Sequence, residues 1–154
     1  MGKVSVRLEK QDNDFHFRGF NADGHSVDID DATAYEDGDG NGVGPMQLIV
    51  IAIGACSGGD IVSILKKGRQ ELTGFNMQVD GFKPDGVSPS TYERIILSYR
   101  FEGTLDEKKT RRAIELGLGK YCSVAEMLAK SAQIEYCYSI NGEEYEGSVL
   151  NFGD

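Results

Sequence analysis

Residues 44–70, "GPMQLIVIAIGACSGGDIVSILKKGRQ", decide how this chain is read. Pro45 suits the first turn of a helix, where its missing N–H costs nothing. "MQLIVIAIGAC" is then apolar nearly all round, the mark of a helix buried on every side. Gly58 and Gly59 interrupt it, at about 2 kcal/mol of helix propensity relative to alanine. Beyond them Ile61, Ile64 and Leu65 share one face. Lys66, Lys67 and Arg69 complement a helix C-terminus, and Gly68 is the expected stop. Residues 45–69 are therefore predicted as the central helix, and the rest of the chain must cover it.

Upstream, residues 1–34 read as N-terminal strands. Period-two alternation marks 3–9, 15–20 and 25–30, with polar turns at Asp12-Asn13-Asp14 and Asn21-Ala22-Asp23-Gly24. Residues 35–44 form a glycine-rich loop. Within it Asp37-x-Asp39-x-Asn41-Gly42 opens like an EF-hand, but the position that needs a bidentate Glu is Leu48, so no calcium is expected. Downstream, strands are predicted within 75–103, at 75–82 and 91–103, around an exposed loop holding Pro84, Gly86 and Pro89. Two helices follow within 104–131. Thr104-x-x-Glu107 is a capping box for the first, which Gly117 and Gly119 end. Ser123-x-x-Glu126 is a capping box for the second. A last strand spans 132–141, and the tail lacks periodicity. The order gives an α+β fold in a single domain over 1–154.

Composition narrows the function. The chain has 154 residues, 40% of them hydrophobic, enough for a real core. A net charge of −9, with no run of basic residues longer than two, argues against nucleic acid as a partner. The N-terminus lacks the apolar stretch of a signal peptide. Gly2 fails as a myristoylation site because position 6 is Val. The longest fully apolar run, Leu48 to Ile53, is too short to span a bilayer, so no membrane is expected. The cytoplasm is the default compartment, where three cysteines do not make a disulfide scaffold. His16 and His25 stand apart from Cys ligands, so neither a metal nor a cofactor is expected.

One pattern occurs twice. Cys56-Ser57-x-x-Asp60 and Cys122-Ser123-x-x-Glu126 each put a thiol before a candidate N-cap serine. With Ser123 as cap, Cys122 lies one residue outside the helix. There the positive helix end lowers its pKa if the sulfur faces the free N–H groups. Alternatively it is a small apolar residue stapled to Met127. Cys56 is a buried interior residue if the central helix runs on, and takes the same place as Cys122 if the helix breaks. Cys137 alternates with Glu135 and Ser139, opposite Ile134, Tyr136, Tyr138 and Ile140, and reads as packing.

The segment 44–70, with "KYCSVAEML" at 120–128, resembles the OsmC/Ohr superfamily of osmotically inducible and organic hydroperoxide resistance proteins, nearest its YhfA-like branch. The resemblance implies an OsmC-like α+β fold: a long buried helix on antiparallel sheets, two chains intertwined as a homodimer. It also implies thiol-dependent reduction of an organic hydroperoxide or hydrogen peroxide. Cys56 is then the peroxidatic thiolate, Cys122 the resolving thiol, and an external dithiol the reductant. Relatives use an activating Arg, for which Arg18 is the nearest candidate, held by a Glu directly after the helix proline. Here that position is Met46, a departure from the pattern. The alternative to an enzyme is a dimer that senses redox state or binds a small hydrophobic ligand.

Overall fold

The structure, a computed structural model, describes residues 1–12, 14–36, 38 and 40–152. Asn13 of the first turn, and Asp37 and Asp39 of the EF-hand-like stretch, lie outside the described residues. The chain divides into two compact units, Met1–Ile49 and Val50–Asp154.

In the first unit, strands β1 (Arg7–Lys10), β2 (Phe17–Phe20) and β3 (Ser26–Ile29) form an antiparallel sheet in that order. Each is shorter than its alternating stretch. Asn21 closes the second turn, its Oδ1 accepting from the N–H groups of Asp23 and His25. That turn fixes the register and sets Arg18 opposite Asp28. Past β3, buried Asp30 gathers the loop. Its carboxylate accepts from the Asn41 N–H and side-chain amide, from Tyr35 Oη, and from the Asp31 N–H. Burial alone works to raise its pKa, but these hydrogen bonds outweigh it and hold the pKa below the ordinary carboxylate value.

Helix α1 spans Pro45–Lys67. The Gly44 N–H donates to Gln47 Oε1 at 2.7 Å, the reciprocal half of a capping box, with Pro45 in the first helical position. The helix does not break at Gly58-Gly59, so Ser57 caps nothing. Its hydroxyl instead donates back to Ile53 O at 2.8 Å inside the helix. The helix ends directly before Gly68, the expected stop, two residues short of the predicted bound. Arg69, not Gly68, takes the left-handed conformation (φ 55°). The Arg69 N–H donates to Lys66 O and the Gln70 N–H to Leu65 O, a Schellman pattern.

The second unit holds β4 (Glu71–Phe82), β5 (Arg94–Thr104), α2 (Glu107–Leu116), a π-helical turn (Gly117–Tyr121), α3 (Ser123–Leu128), β6 (Gln133–Ile140), β7 (Glu143–Tyr145) and β8 (Val149–Leu150). The sheet runs β4-β5-β6-β7, with β8 also on β6. One pair, β5–β6, is parallel, because the α2–α3 crossover returns the chain to the same end of the sheet. Thr104 belongs to β5, so the cap of α2 is Asp106, whose Oδ1 accepts from the Lys109 N–H. Strand pairing has displaced the expected capping box.

Alternation along β5 and β6 buries Ile95, Leu97, Tyr99, Phe101, Ile134, Tyr136 and Tyr138, and α1 buries Ile53, Ile61 and Leu65. Gly54 and Gly58 let α1 approach β4. A Cβ at Gly58 would stand 2.7 Å from Met77 Cε, and one at Gly54 3.1 Å from Val79 Cγ2. The expectation of burial on every side does not hold within the chain. Ile53, Gly54, Ser57, Gly58, Ile61 and Leu65 are buried, whereas Ile51 is 49% exposed and Ala55 and Gly59 are open. By length and composition α1 is capable of crossing a bilayer, which the short run Leu48 to Ile53 does not reveal. The core helix of a globular protein passes the same test, and here the inner face packs on the sheet.

Candidate active site

The two thiols singled out in the sequence meet. Cys56 sits in mid-α1, half-buried, one residue from the inward-facing Ser57. Cys122 is buried at the start of α3. The two thiols are neighbours, and Cys56 is among the groups that raise the Cys122 pKa. Neither forms a disulfide in this structure.

Three local features bring Cys122 to Cys56. The π turn widens the helical path after α2, closing with the Cys122 N–H on Gly117 O, five residues back. Gly117 lies directly on α1. A Cβ there would stand 2.7 Å from Ile61 Cγ1 and 3.3 Å from Ser57 O. Cys122 itself, not Ser123, is the N-cap of α3, its sulfur accepting the Ala125 N–H at 3.3 Å. The staple reading also falls, because Met127 is 69% exposed.

The environment of Cys122 reverses the expected shift. Burial pushes its pKa up to about 11, and the contact with Cys56 adds to this, against the lowering pull of the Ala125 and Val124 N–H groups. At neutral pH Cys122 is therefore a thiol. Tyr99 completes the surroundings. Ser57 has one proton and gives it to Ile53 O, so Tyr99 Oη donates to Ser57 Oγ at 2.8 Å. Burial raises the Tyr99 pKa well above that of an ordinary phenol, and Cys122 contributes to the shift.

Arg18 lies in the other compact unit, on β2. Its Nε donates to Asp28 Oδ1 at 2.8 Å, and His16 Nε2 reaches the same oxygen at 2.8 Å. Arg18 first, then His16, holds the Asp28 carboxyl below its ordinary pKa. A carboxylate thus does hold Arg18, from the neighbouring strand rather than from Met46. Cys137 packs on the other face of its strand, beside Ser98 Oγ at 3.3 Å, as the packing reading expects. The sequence marks neither Asp28 nor Tyr99, and marks Gly117 only as the end of a helix. The Arg18–Asp28 pairing follows once the Asn21 turn is fixed, whereas nothing local marks Tyr99.

A family model, OsmC-like protein, matches residues 38–136, a range holding α1 and both paired cysteines. The chain belongs to the OsmC-like family. Protein YhfA of Escherichia coli (strain K12) is 34% identical over 125 residues, 80% of this chain and 89% of YhfA. A crystal structure of a hypothetical protein from Aquifex aeolicus VF5 superposes with a TM-score of 0.79 at 29% identity, covering 92% of this OsmC-like chain and 98% of that one. The organic hydroperoxide resistance protein OhrB of Bacillus subtilis shares the fold with a TM-score of 0.64 at 18% identity, over 90% and 98% of the two chains.

Proposed function

We propose that this OsmC-like protein is a thiol peroxidase that reduces organic hydroperoxides or hydrogen peroxide. One observation carries the reading: two cysteines distant in sequence are brought close enough that Cys56 shifts the titration of Cys122, one half-buried and one buried. The shared fold with a protein named for organic hydroperoxide resistance supports the choice of reaction.

Cys56, as thiolate, attacks one peroxide oxygen. The O–O bond breaks, the leaving alkoxide takes a proton and departs as an alcohol, or as water from hydrogen peroxide, and Cys56 becomes a sulfenic acid. Cys122 then attacks that sulfur. Its proton leaves with the sulfenic oxygen as water, and the Cys56–Cys122 disulfide forms. An external dithiol restores both thiols by exchange and is itself oxidised to a disulfide. Arg18 enters on the family resemblance alone, as the cation supporting the thiolate. Free thiols suit the cytoplasm. The open face of α1 and the long edge strand β4 suit a homodimer.

The test is one equivalent of cumene hydroperoxide, a free-thiol count and disulfide mapping by mass spectrometry. The expected result is loss of two thiols and a Cys56–Cys122 bond. Cys56→Ser should abolish peroxide consumption, Cys122→Ser should leave a trappable sulfenic acid, and Arg18→Ala should slow the first step. Unreactive native thiols would sink the proposal. Oxidation only by stronger agents would favour a redox sensor.

A further inference from the structure

Where α1 ends and α2 begins, the second unit carries an open groove of about 330 Å³. One side chain holds its end together. Gln70 Oε1 accepts from the Asp106 N–H at 2.7 Å, and Gln70 Nε2 donates to Gly68 O at 3.1 Å. Gln70 thus ties the entry of α2 to the exit of α1. From α1, half-buried Ile64 and the edge of buried Leu65 supply apolar lining. From α2 come Lys108, Lys109 and Arg112, all exposed. Lys108 and Arg112 stand one turn apart on the same helix face, about 6 Å along the axis. Thr110, Ala113 and Ile114 take the buried face. The groove is clear of the thiol pair, because Ile64 lies about 12 Å along α1 from Cys56.

The charge of this groove runs against that of the chain. The net charge is −9, yet the groove is lined by three cations and no carboxylate. Among the described residues, neither Lys108 nor Lys109 forms an ion pair. Arg112 reaches Glu115 only at 3.8 Å, in an exposed contact. The positive rim is therefore unspent. Three cations are too few to grip a phosphodiester backbone. The groove is also too open to enclose a small molecule, whose sites bury most of the ligand. An apolar centre inside a charged rim is instead the anatomy of a protein interface.

We infer that this groove docks an acidic segment of a partner protein. One apolar side chain of that segment packs on Ile64, and carboxylates flanking it meet Lys108, Lys109 and Arg112. The rim charges steer the encounter, and the apolar contact sets the position along the groove. The inference needs nothing from the thiol chemistry.

The experiment measures fluorescence anisotropy of a fluorescein-labelled peptide, Glu-Glu-Leu-Glu-Glu, with the full chain, and compares its Glu-Glu-Ser-Glu-Glu analogue. The proteins are wild type, the double variant Lys108→Gln, Arg112→Gln, and the double variant Lys66→Gln, Lys67→Gln. The last removes the same charge from neighbouring exposed lysines that do not line the groove. Wild type should bind the leucine peptide, and added salt should weaken the complex. Loss of Lys108 and Arg112 should weaken it three- to tenfold, the size of two exposed charge contacts. The Lys66, Lys67 variant should change affinity less than twofold. The serine peptide should bind at least threefold more weakly than the leucine peptide. Urea denaturation should give both double variants the wild-type midpoint, since every substituted side chain is exposed. No binding by wild type at about millimolar protein, equal losses in the two variants, or equal binding of the two peptides overturns the inference. So does capture by phosphatidylserine vesicles without binding of the peptide, which would make the surface one for anionic lipid.

Discussion

Cys56-Ser57-x-x-Asp60 and Cys122-Ser123-x-x-Glu126 match in sequence pattern and differ in every structural respect. In the first, the helix runs straight through, Ser57 is buried and back-bonded, and the cysteine sits on the helix flank. In the second, the cysteine starts a new helix and the serine is exposed. The difference lies in what precedes each copy. Eleven helical residues lead into Cys56, and breaking them would leave buried backbone groups unpaired. Gly117 and Gly119 lead into Cys122, where the chain has already loosened into a π turn. A short capping motif acts only where the preceding backbone leaves a helix start open.

The largest effect belongs to the element that joins the copies. Gly117→Val drives a branched side chain into Ile61 and the Ser57 carbonyl. Overpacking at this contact should cost about 3 kcal/mol, read by urea denaturation. It should also separate the sulfurs, so that peroxide treatment yields Cys56 sulfenic acid without the Cys56–Cys122 bond. Retention of that bond at wild-type yield would show that the π turn does not set the sulfur contact.

Ser57→Ala should come next. It leaves Tyr99 Oη buried without its partner, and an unsatisfied buried hydroxyl costs about 1–3 kcal/mol. Alanine returns a little of that through helix propensity. Tyr99→Phe in the Ser57→Ala background should then cost almost nothing further, a coupling that a double-mutant cycle measures.

Both thiols, the central helix and most strands could be read from the sequence, because apolar periodicity and turn residues are local signals. The proximity of the thiols came through the family resemblance, since neither motif encodes its distance from the other. Two of the cap assignments failed for a shared reason. Thr104 was drawn into β5 by pairing with Glu71, and Ser57 was drawn inward by Tyr99. In each case a partner remote in sequence outweighed the local hydrogen bond. The direction of the Cys122 shift failed likewise, because burial is a tertiary property and here it exceeds the pull of the helix end.

Cys122 gives a third, smaller effect. Cys122→Ala removes the acceptor for the Ala125 N–H and should cost about 1 kcal/mol, whereas Cys122→Ser keeps a cap. The serine variant therefore separates chemistry from stability. The thiol also predicts a pH dependence. Its folded pKa, about 11, lies above the ordinary value near 9, so the native state holds the proton more tightly. That contribution is complete below pH 9 and is lost as pH rises from 9 through 11. Chemical denaturation across this window should show a decline in wild type that is shallower in Cys122→Ser.

Ser123→Ala should have the smallest effect. Ser123 is exposed, the cap position is filled by its neighbour, and alanine is the better helix former. The change should fall within about 0.5 kcal/mol of zero, in either direction. Set against Ser57→Ala, it compares the same residue at the same place in the same motif, with one hydroxyl tied to a buried tyrosine and the other in the open. A loss of 1 kcal/mol or more for Ser123→Ala, by urea denaturation, would return the cap to the serine. Cys122 would then occupy the position outside the helix, and the contrast between the two copies would shrink to the break in the second helix alone.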